Sequence, residues 1–279
     1  MKRRNFLQLL PFTLVLPSVH TISRKRTNMS IQLIRHATLV IRIGEKRILI
    51  DPMFSPKEAM DPIQNSSNPV RIPMVDLPFQ DSELNSLLKQ IDAVFVTHTH
   101  RDHWDAVAHQ LLPKHIPIYC QPGDLEKIKQ LGFNDVTPVA DHIVFQGLEV
   151  YRTKGQHGTG EIGKRMGEVS GFVFRFNKKS IYVAGDTIWC DEVEQALKKY
   201  QPDVTVVNAG GAQFLTGDPI TMTAADVAAV KSAWPTTKVV AVHMDTVNHC
   251  LVKRIDLQVA IQKANLPVAI PKDGEVIKF

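Results

Sequence analysis

The chain has 279 residues, 44% of them hydrophobic and 22% charged, proportions that fit a folded globular protein with a substantial buried core and exclude a low-complexity chain. Its formal charge of +5 would ordinarily point to nucleic acid or anionic lipid, yet six basic residues (Lys2, Arg3, Arg4, Arg24, Lys25, Arg26) fall within residues 1–28, where there is no acid. Without those six, the 33 basic residues drop to 27 against 28 acidic ones, so the remainder is near neutral and a phosphate-tracking surface is not expected of it.

The first 28 residues read as a leader preceding a single folded domain over 29–279. Lys2-Arg3-Arg4-Asn5-Phe6-Leu7 followed by a short apolar stretch to Leu16 resembles a twin-arginine export signal. Pro11 and Pro17 interrupt that stretch, and no clean small-x-small cleavage site follows. Export is the expectation, with a cytoplasmic location or a true start at Met29 as the alternatives. Elsewhere no run of uncharged apolar residues reaches the length of a membrane-spanning helix.

From Ile31 the pattern becomes regular. Short strands are predicted at Ile31–Ile34, Thr38–Ile43 and Arg47–Ile50, the last ending in Asp51-Pro52. Residues 55–78 are polar and Pro-rich and read as a long loop or lid. A helix follows at about Asp81–Gln90, with Asp81 or Ser82 as N-cap and Leu84, Leu87 and Leu88 at helical spacing. The buried strand Ala93–Thr97 comes next, then helix, strand and helix at about Trp104–Leu112, Ile116–Tyr119 and Leu125–Leu131. Five strands are predicted at about Val136–Val139, His142–Phe145, Leu148–Thr153, Glu168–Phe176 and Ser180–Ala184. The last third alternates: helix Glu192–Tyr200, strand Val204–Asn208, helix Ala224–Ser232, strand Lys238–His243 and helix Leu251–Ala264. Cys120, Cys190 and Cys250 are widely spaced and odd in number, so they read as free or packed thiols.

The chemistry concentrates immediately after the apolar strand Val94-Phe95-Val96, where His98, His100, Asp102 and His103 fall within six residues. A strand end is a rigid platform, and imidazoles with one carboxylate suit zinc, and also manganese or iron, better than magnesium or calcium. Three further metal-binding residue types sit at later strand ends: His157 after the strand ending near Thr153, Asp186 after Ile181-Tyr182-Val183-Ala184-Gly185, and His243 after Val239-Val240-Ala241-Val242. Singly, each would read as a turn or cap residue; their recurrence argues for one shared site.

The order His-x-His-x-Asp-His, a separate His, Gly-Asp-Thr and a late His resembles the signature of the metallo-β-lactamase superfamily across nearly all of the chain from residue 31. Arg35-His36-Ala37 with Leu49-Ile50-Asp51-Pro52 is similar to the branch containing L-ascorbate-6-phosphate lactonase. The resemblance implies an α/β (α+β) fold, the four-layer αβ/βα sandwich, and two divalent metal ions. One ion would be held by His98, His100 and His157, the other by Asp102, His103 and His243, with Asp186 bridging both. Two such cations lower the pKa of a shared water enough to yield hydroxide near neutral pH. Asp102 and Asp186 are the expected catalytic carboxylates, Asp102 orienting the nucleophile and returning a proton to the leaving group.

Asp51 and His36 are expected to fix ligand tautomers by hydrogen bonding, and His249 to contact substrate or leaving group. His109, His115 and His142 are expected at the surface. Gly155, Gly158, Gly160, Gly163 and Gly167 match no phosphate-loop spacing and read as a flexible loop beside the metals. The expected activity is hydrolysis of a small ester, lactone or phosphorylated metabolite, by a protein that also forms homo-oligomers. The alternatives on the same fold are a phosphodiesterase or nuclease, an iron redox protein, and a non-catalytic metal-binding scaffold. The near-neutral body speaks against nucleic acid as partner, and di-iron relatives typically carry a carboxylate where His100 stands.

Overall fold

A computed structural model of the chain describes residues 28–279; the leader expectation falls outside the described residues. Two seven-stranded sheets form the centre. The first has the order β14-β1-β2-β3-β4-β5-β6, with β1 at Met29–Arg35, β2 at Thr38–Ile43, β3 at Lys46–Ile50, β4 at Ala93–Val96, β5 at Ile118–Cys120, β6 at Val136–Pro138 and β14 at Val276–Lys278. The second has the order β13-β12-β11-β10-β9-β8-β7, with β7 at His142–Phe145, β8 at Leu148–Lys154, β9 at Ser170–Phe176, β10 at Lys179–Val183, β11 at Val204–Asn208, β12 at Lys238–Val242 and β13 at Val268–Ala269.

The sheets pack face to face because alternate residues of each strand are apolar on the inner side. Ile31, Leu33, Ile41, Ile48 and Phe95 from the first sheet meet Leu148, Val150, Phe172, Phe174, Ile181 and Val206 from the second in one buried cluster. Outer faces are covered by helices. The first carries α1 (Asp81–Leu88), α2 (Ala106–Leu111) and α3 (Leu125–Lys129), with Leu84, Leu88, Ala108 and Ile128 against Leu49, Val94 and Val96. The second carries α5 (Asp191–Tyr200), α6 (Ala224–Ala233) and α7 (Arg254–Lys263), with Val193, Leu197, Val227, Val230 and Leu257 against Tyr182, Val207 and Ala241. The result is the expected four-layer αβ/βα sandwich.

Several details differ from the sequence reading. The N-cap of α1 is Gln80, whose backbone N–H donates to the Glu83 carboxylate at 2.8 Å, so Asp81 and Ser82 lie inside the helix. The glycine-rich stretch after His157 contains a helix, α4 (Gly160–Met166). Glycine content masked it, and one glycine there answers a packing demand: a Cβ on Gly163 would lie 2.5 Å from the Gly158 carbonyl oxygen. The short strands β13 and β14 were not anticipated. Each is stabilised by a distant neighbour: β14 pairs antiparallel with β1 at Ser30↔Lys278 and Ile31↔Ile277. His115 and His142 are exposed as expected, but His109 is half-buried, its ring 4.7 Å from Trp104.

The long loop over 55–78 has no helix or strand, only a bridge between Met60 and Ile72. Its root is fixed by Arg35, fully buried, whose guanidinium donates to the carbonyls of Met53, Ser55 and Val75. Among the described residues no helix is long and apolar enough to cross a membrane.

Phe95 is the centre of the inter-sheet core, with ring centroids 4.7 Å from Tyr119, 4.9 Å from Phe174 and 5.3 Å from Phe172. Phe95→Ala is expected to cost about 3–5 kcal/mol of stability, read from chemical denaturation of the metal-free protein. A loss below 1 kcal/mol would contradict this packing.

Candidate metal centre

Strand pairing decides what meets at the site. β3 and β4 run parallel with Ile50 opposite Phe95, which sets Asp51 beside Thr97 at the start of the histidine-rich loop. In the second sheet β10, β11 and β12 are parallel, with Asn208 opposite Val242. Asp186 and His243 therefore emerge just beyond the same ends of neighbouring strands, the usual location of sites in α/β sheets. β8 points the same way, being antiparallel to β9 as β9 is to β10, and brings His157 to that edge. Gly185 permits the turn before Asp186: it has φ +73°, and a Cβ there would lie 2.4 Å from the Ser170 carbonyl oxygen.

All seven expected ligands converge. His98 Nε2 and His100 Nδ1 are 2.9 Å apart, and these two with His157 form one cluster of potential ligand atoms. His103 Nε2 and His243 Nε2 are 3.2 Å apart and lie 3.7 and 3.8 Å from Asp102 Oδ2. Asp186 lies between the clusters. Its Oδ2 is 3.2 Å from His103, 3.5 Å from His157 and 3.9 Å from His98, and its Oδ1 is 3.2 Å from His243.

The outer nitrogens of His98, His103, His157 and His243 are occupied, which aims the inner ones. His103 Nδ1 is 2.8 Å from Asp51 Oδ2; Asp51 also accepts from the Thr97 N–H and hydroxyl, each at 2.7 Å. With its proton committed to Asp51, the Thr97 hydroxyl accepts from His98 Nδ1 at 3.1 Å. His157 Nδ1 donates to the Ile220 carbonyl at 2.8 Å, and His243 Nδ1 is 3.5 Å from Cys250 Sγ. Nδ1–H directed outward leaves each Nε2 lone pair directed inward. Inward lone pairs and carboxylate oxygens 3–4 Å apart repel one another, and a divalent cation between them turns that repulsion into coordination. The donor set of nitrogen and carboxylate fits zinc, manganese or iron.

Although burial opposes it, Asp186, Asp102 and Asp51 hold the His103 imidazole well above its ordinary pKa, so a cation bound there would displace a ring proton. Burial and the neighbouring imidazoles hold His98 well below the ordinary histidine pKa, and burial holds His157 down. Burial alone would raise Asp102 and Asp186, but His103 and the other nearby imidazoles outweigh it, so both carboxyls stay ionised.

His36 packs within this cluster. Its Nε2 is 3.2 Å from Asp102 Oδ2, its ring centroid is 3.6 Å from that of His243, and its carbonyl accepts from the His243 N–H at 3.0 Å. Stacked so closely on His243, its ring is placed to orient Asp102. His36, Asp51 and His243 have φ of +61°, +44° and +70°, a left-handed backbone that side chains other than glycine adopt at some cost, often at functional sites.

Sequence reasoning missed Asn208, whose Nδ2 donates to Asp186 Oδ1 at 2.6 Å. Its signal is its place at the end of a parallel strand beside Asp186. Thr97, Asn248 and Cys250 were missed as well. The first was read only as a strand end, and Cys250 only as a thiol with no nearby partner in sequence.

A cavity of about 230 Å³ opens on the cluster, lined by His100, Asp102, His157 and Asp186 on one side and by Ile63, Met166, Phe214, Ile220 and His249 on the other, with Arg101 at its edge. Ile63 comes from the long loop, as the lid expectation required.

The model of the beta-lactamase superfamily domain matches residues 46–244. The UPF0173 protein YddR of Bacillus subtilis is 37% identical over 257 residues, covering 90% of this chain and all of that protein. The chain belongs to the metallo-β-lactamase superfamily, in its UPF0173 metal-dependent hydrolase family. Two solved structures are similar over nearly the whole chain. An isothiocyanate hydrolase from Delia radicum gut bacteria has a TM-score of 0.84 and 38% identity, covering 90% of this chain and 99% of its own. A possible metal-dependent hydrolase from Veillonella parvula has a TM-score of 0.86 and 36% identity, covering 91% of this chain and 100% of its own.

Asp51→Asn keeps the shape but exchanges one acceptor oxygen for a donor amide. Metal affinity is expected to fall roughly 10- to 100-fold, measured by chelator competition with the folded protein. Unaltered affinity would exclude the proposed orienting role.

Proposed function

We propose that this protein is a dinuclear metal hydrolase whose substrate is a small, uncharged electrophile with an apolar substituent. The observation that carries the reading is a cavity whose one wall is formed by His100, Asp102, His157 and Asp186, four members of the seven-residue ligand-type cluster, with a predominantly apolar wall facing them. In the two-ion reading His98, His100 and His157 hold one cation, Asp102, His103 and His243 the other, and Asp186 bridges them. Zinc is the metal proposed, with manganese or iron as substitutes. Bound cations of this kind lower the pKa of a water and polarise the group it attacks. Asp102 would orient that water, a role supported by its Oδ2 lying near His103 and His243 with His36 behind it.

The cavity argues about charge as well as size. Arg101 is the one Lys or Arg among its lining residues, and its guanidinium donates to the Asp61 carbonyl at 2.7 Å. Recognition of a phosphate usually employs several free donors, so a phosphorylated metabolite, as in the lactonase-like branch, or a phosphodiester has less support than a neutral ester, lactone or isothiocyanate. The similarity to the isothiocyanate hydrolase makes the last the first substrate to test. There water adds across the C=N bond of R–N=C=S: oxygen bonds to carbon, the C=N π pair passes to nitrogen, and the proton of the water ends on that nitrogen. Cleavage of the C–N bond, with the hydroxyl proton moving to nitrogen, then releases the amine and carbonyl sulfide.

The test is turnover of phenethyl isothiocyanate, a small lactone, an aryl ester and a phosphodiester by metal-loaded protein with quantified metal. Hydrolysis of a neutral substrate is expected, abolished by a chelator and restored by zinc or manganese. His100→Ala and Asp186→Ala are each expected to lower it at least about a hundredfold. Wild-type turnover in both variants, or activity on the phosphodiester alone, would overturn the reading. For residues 1–28 we propose an export leader. Mass spectrometry of the native N-terminus is expected to find the leader removed; an intact Met1 or a start at Met29 would reject it.

A further inference from the structure

The sequence that follows the last ligand builds the far wall of the cavity. Asn248 is buried and fastens the long loop: its Oδ1 accepts from the Ile63 N–H at 2.9 Å, and its Nδ2 faces the Ile63 carbonyl, the Ser66 hydroxyl and the Asn68 carbonyl at 3.1, 2.5 and 2.6 Å. Ile63 is thereby held against the cavity, and the next side chain, His249, lines the same space.

His249 differs from the other histidines of the site. It is 6% exposed and belongs to none of the potential ligand clusters. Its Nδ1 is buried without a hydrogen-bond partner, and neither ring nitrogen is engaged by a protein group among the described residues. Its ring centroid lies 5.7 Å from that of Phe214. Because Nδ1 is closed off as well as unpaired, Nε2, which is not closed off and makes no protein hydrogen bond among the described residues, is the nitrogen that a molecule in the cavity can reach. Burial, more than the nearby imidazoles, pushes its pKa down to about 4, so at neutral pH the ring is uncharged and carries a single N–H. Such a group recognises a neutral acceptor and gives no charge attraction to a phosphate.

Resting on the hydrolase reading above, we infer that His249 is a substrate-binding residue: its ring N–H donates to the heteroatom that gains charge when the electrophilic carbon is attacked. For an isothiocyanate that heteroatom is the nitrogen on which the C=N electron pair collects. The substituent then lies along Ile63, Met166 and Phe214. His249 donates a hydrogen bond throughout and transfers no proton, so it stays neutral across the reaction.

The test compares full-length wild type, His249→Phe and His249→Gln at matched metal content. One readout is kcat/KM on phenyl isothiocyanates bearing para-nitro, hydrogen or para-methoxy. The other, independent of turnover, is the Kd of N-phenethylformamide, an unreactive carbonyl acceptor, by calorimetry. His249→Phe is expected to lower kcat/KM roughly 10- to 100-fold, most for the para-methoxy substrate, whose nitrogen gains charge least readily. It should also weaken formamide binding, and His249→Gln, which keeps an N–H, should recover part of both. Loss of metal in His249→Phe would make His249 a ligand and overturn the inference. So would equal losses across the series together with unchanged formamide affinity. If wild type turns over no isothiocyanate, the substrate proposal fails, and the formamide arm still decides whether His249 binds an acceptor.

Discussion

The structure depends on holding inward-facing imidazoles still at the rim where two sheets end. Asp51 makes the decisive contact, joining the Thr97 backbone and hydroxyl to the His103 ring within a fully buried pocket. Through Thr97 the same carboxylate sets the tautomer of His98. One side chain at the end of β3 thus aligns one ring from each metal-binding cluster. Burial raises the Asp51 pKa, while His103 and the Thr97 donors oppose the rise. The arrangement works because both carboxylate oxygens of Asp51 meet donors, which is what allows a carboxylate to remain in a dry environment.

Around this point the outer hydrogen bonds form a shell whose members come from both sheets. Asn208 holds Asp186, the Ile220 carbonyl holds His157, and His36 backs Asp102 while its carbonyl takes the His243 N–H. The left-handed backbone at His36, Asp51 and His243 costs roughly 1–3 kcal/mol at each position, which the inter-sheet core offsets. Phe95, Phe172 and Phe174 pack directly beneath the rim. Rigidity of the core and strain at the site are linked, since a softer platform would let the rings rotate away from one another.

The cavity shows a division of labour between scaffold and loops. Ligands stand at strand ends or in the tight turns after them. The opposing wall comes from the long loop, from α4 and from the segments around Phe214 and His249. Arg35 and Asn248, one at the root of the long loop and one at its middle, fasten it by side-chain bonds to backbone groups rather than by secondary structure. Such attachment holds the loop in place without a regular backbone ladder, so its side chains can shape the cavity while the strands position the ligand-type residues.

Much of this was legible in the sequence. Apolar runs of strand length, ended by His, Asp or Gly, located the central strands to within a few residues, and the spacing from His98 to His103 with the later His157, Asp186 and His243 named a ligand set that the fold does bring together. Those signals are local: a strand's alternation and a ligand's place after it depend on neighbouring residues alone. What the tertiary structure decided is everything that rests on long-range pairing. The strands β13 and β14 and the seat of Asn248 in the long loop join residues far apart in the chain, whereas Asn208 and Asp186, 22 positions apart, and Cys250 and His243, seven apart, meet only because the chain turns back at the strand ends. Glycine-rich composition also hid α4, because helix propensity counts Gly163 against a helix although close approach of the Gly158 carbonyl, not flexibility, requires it.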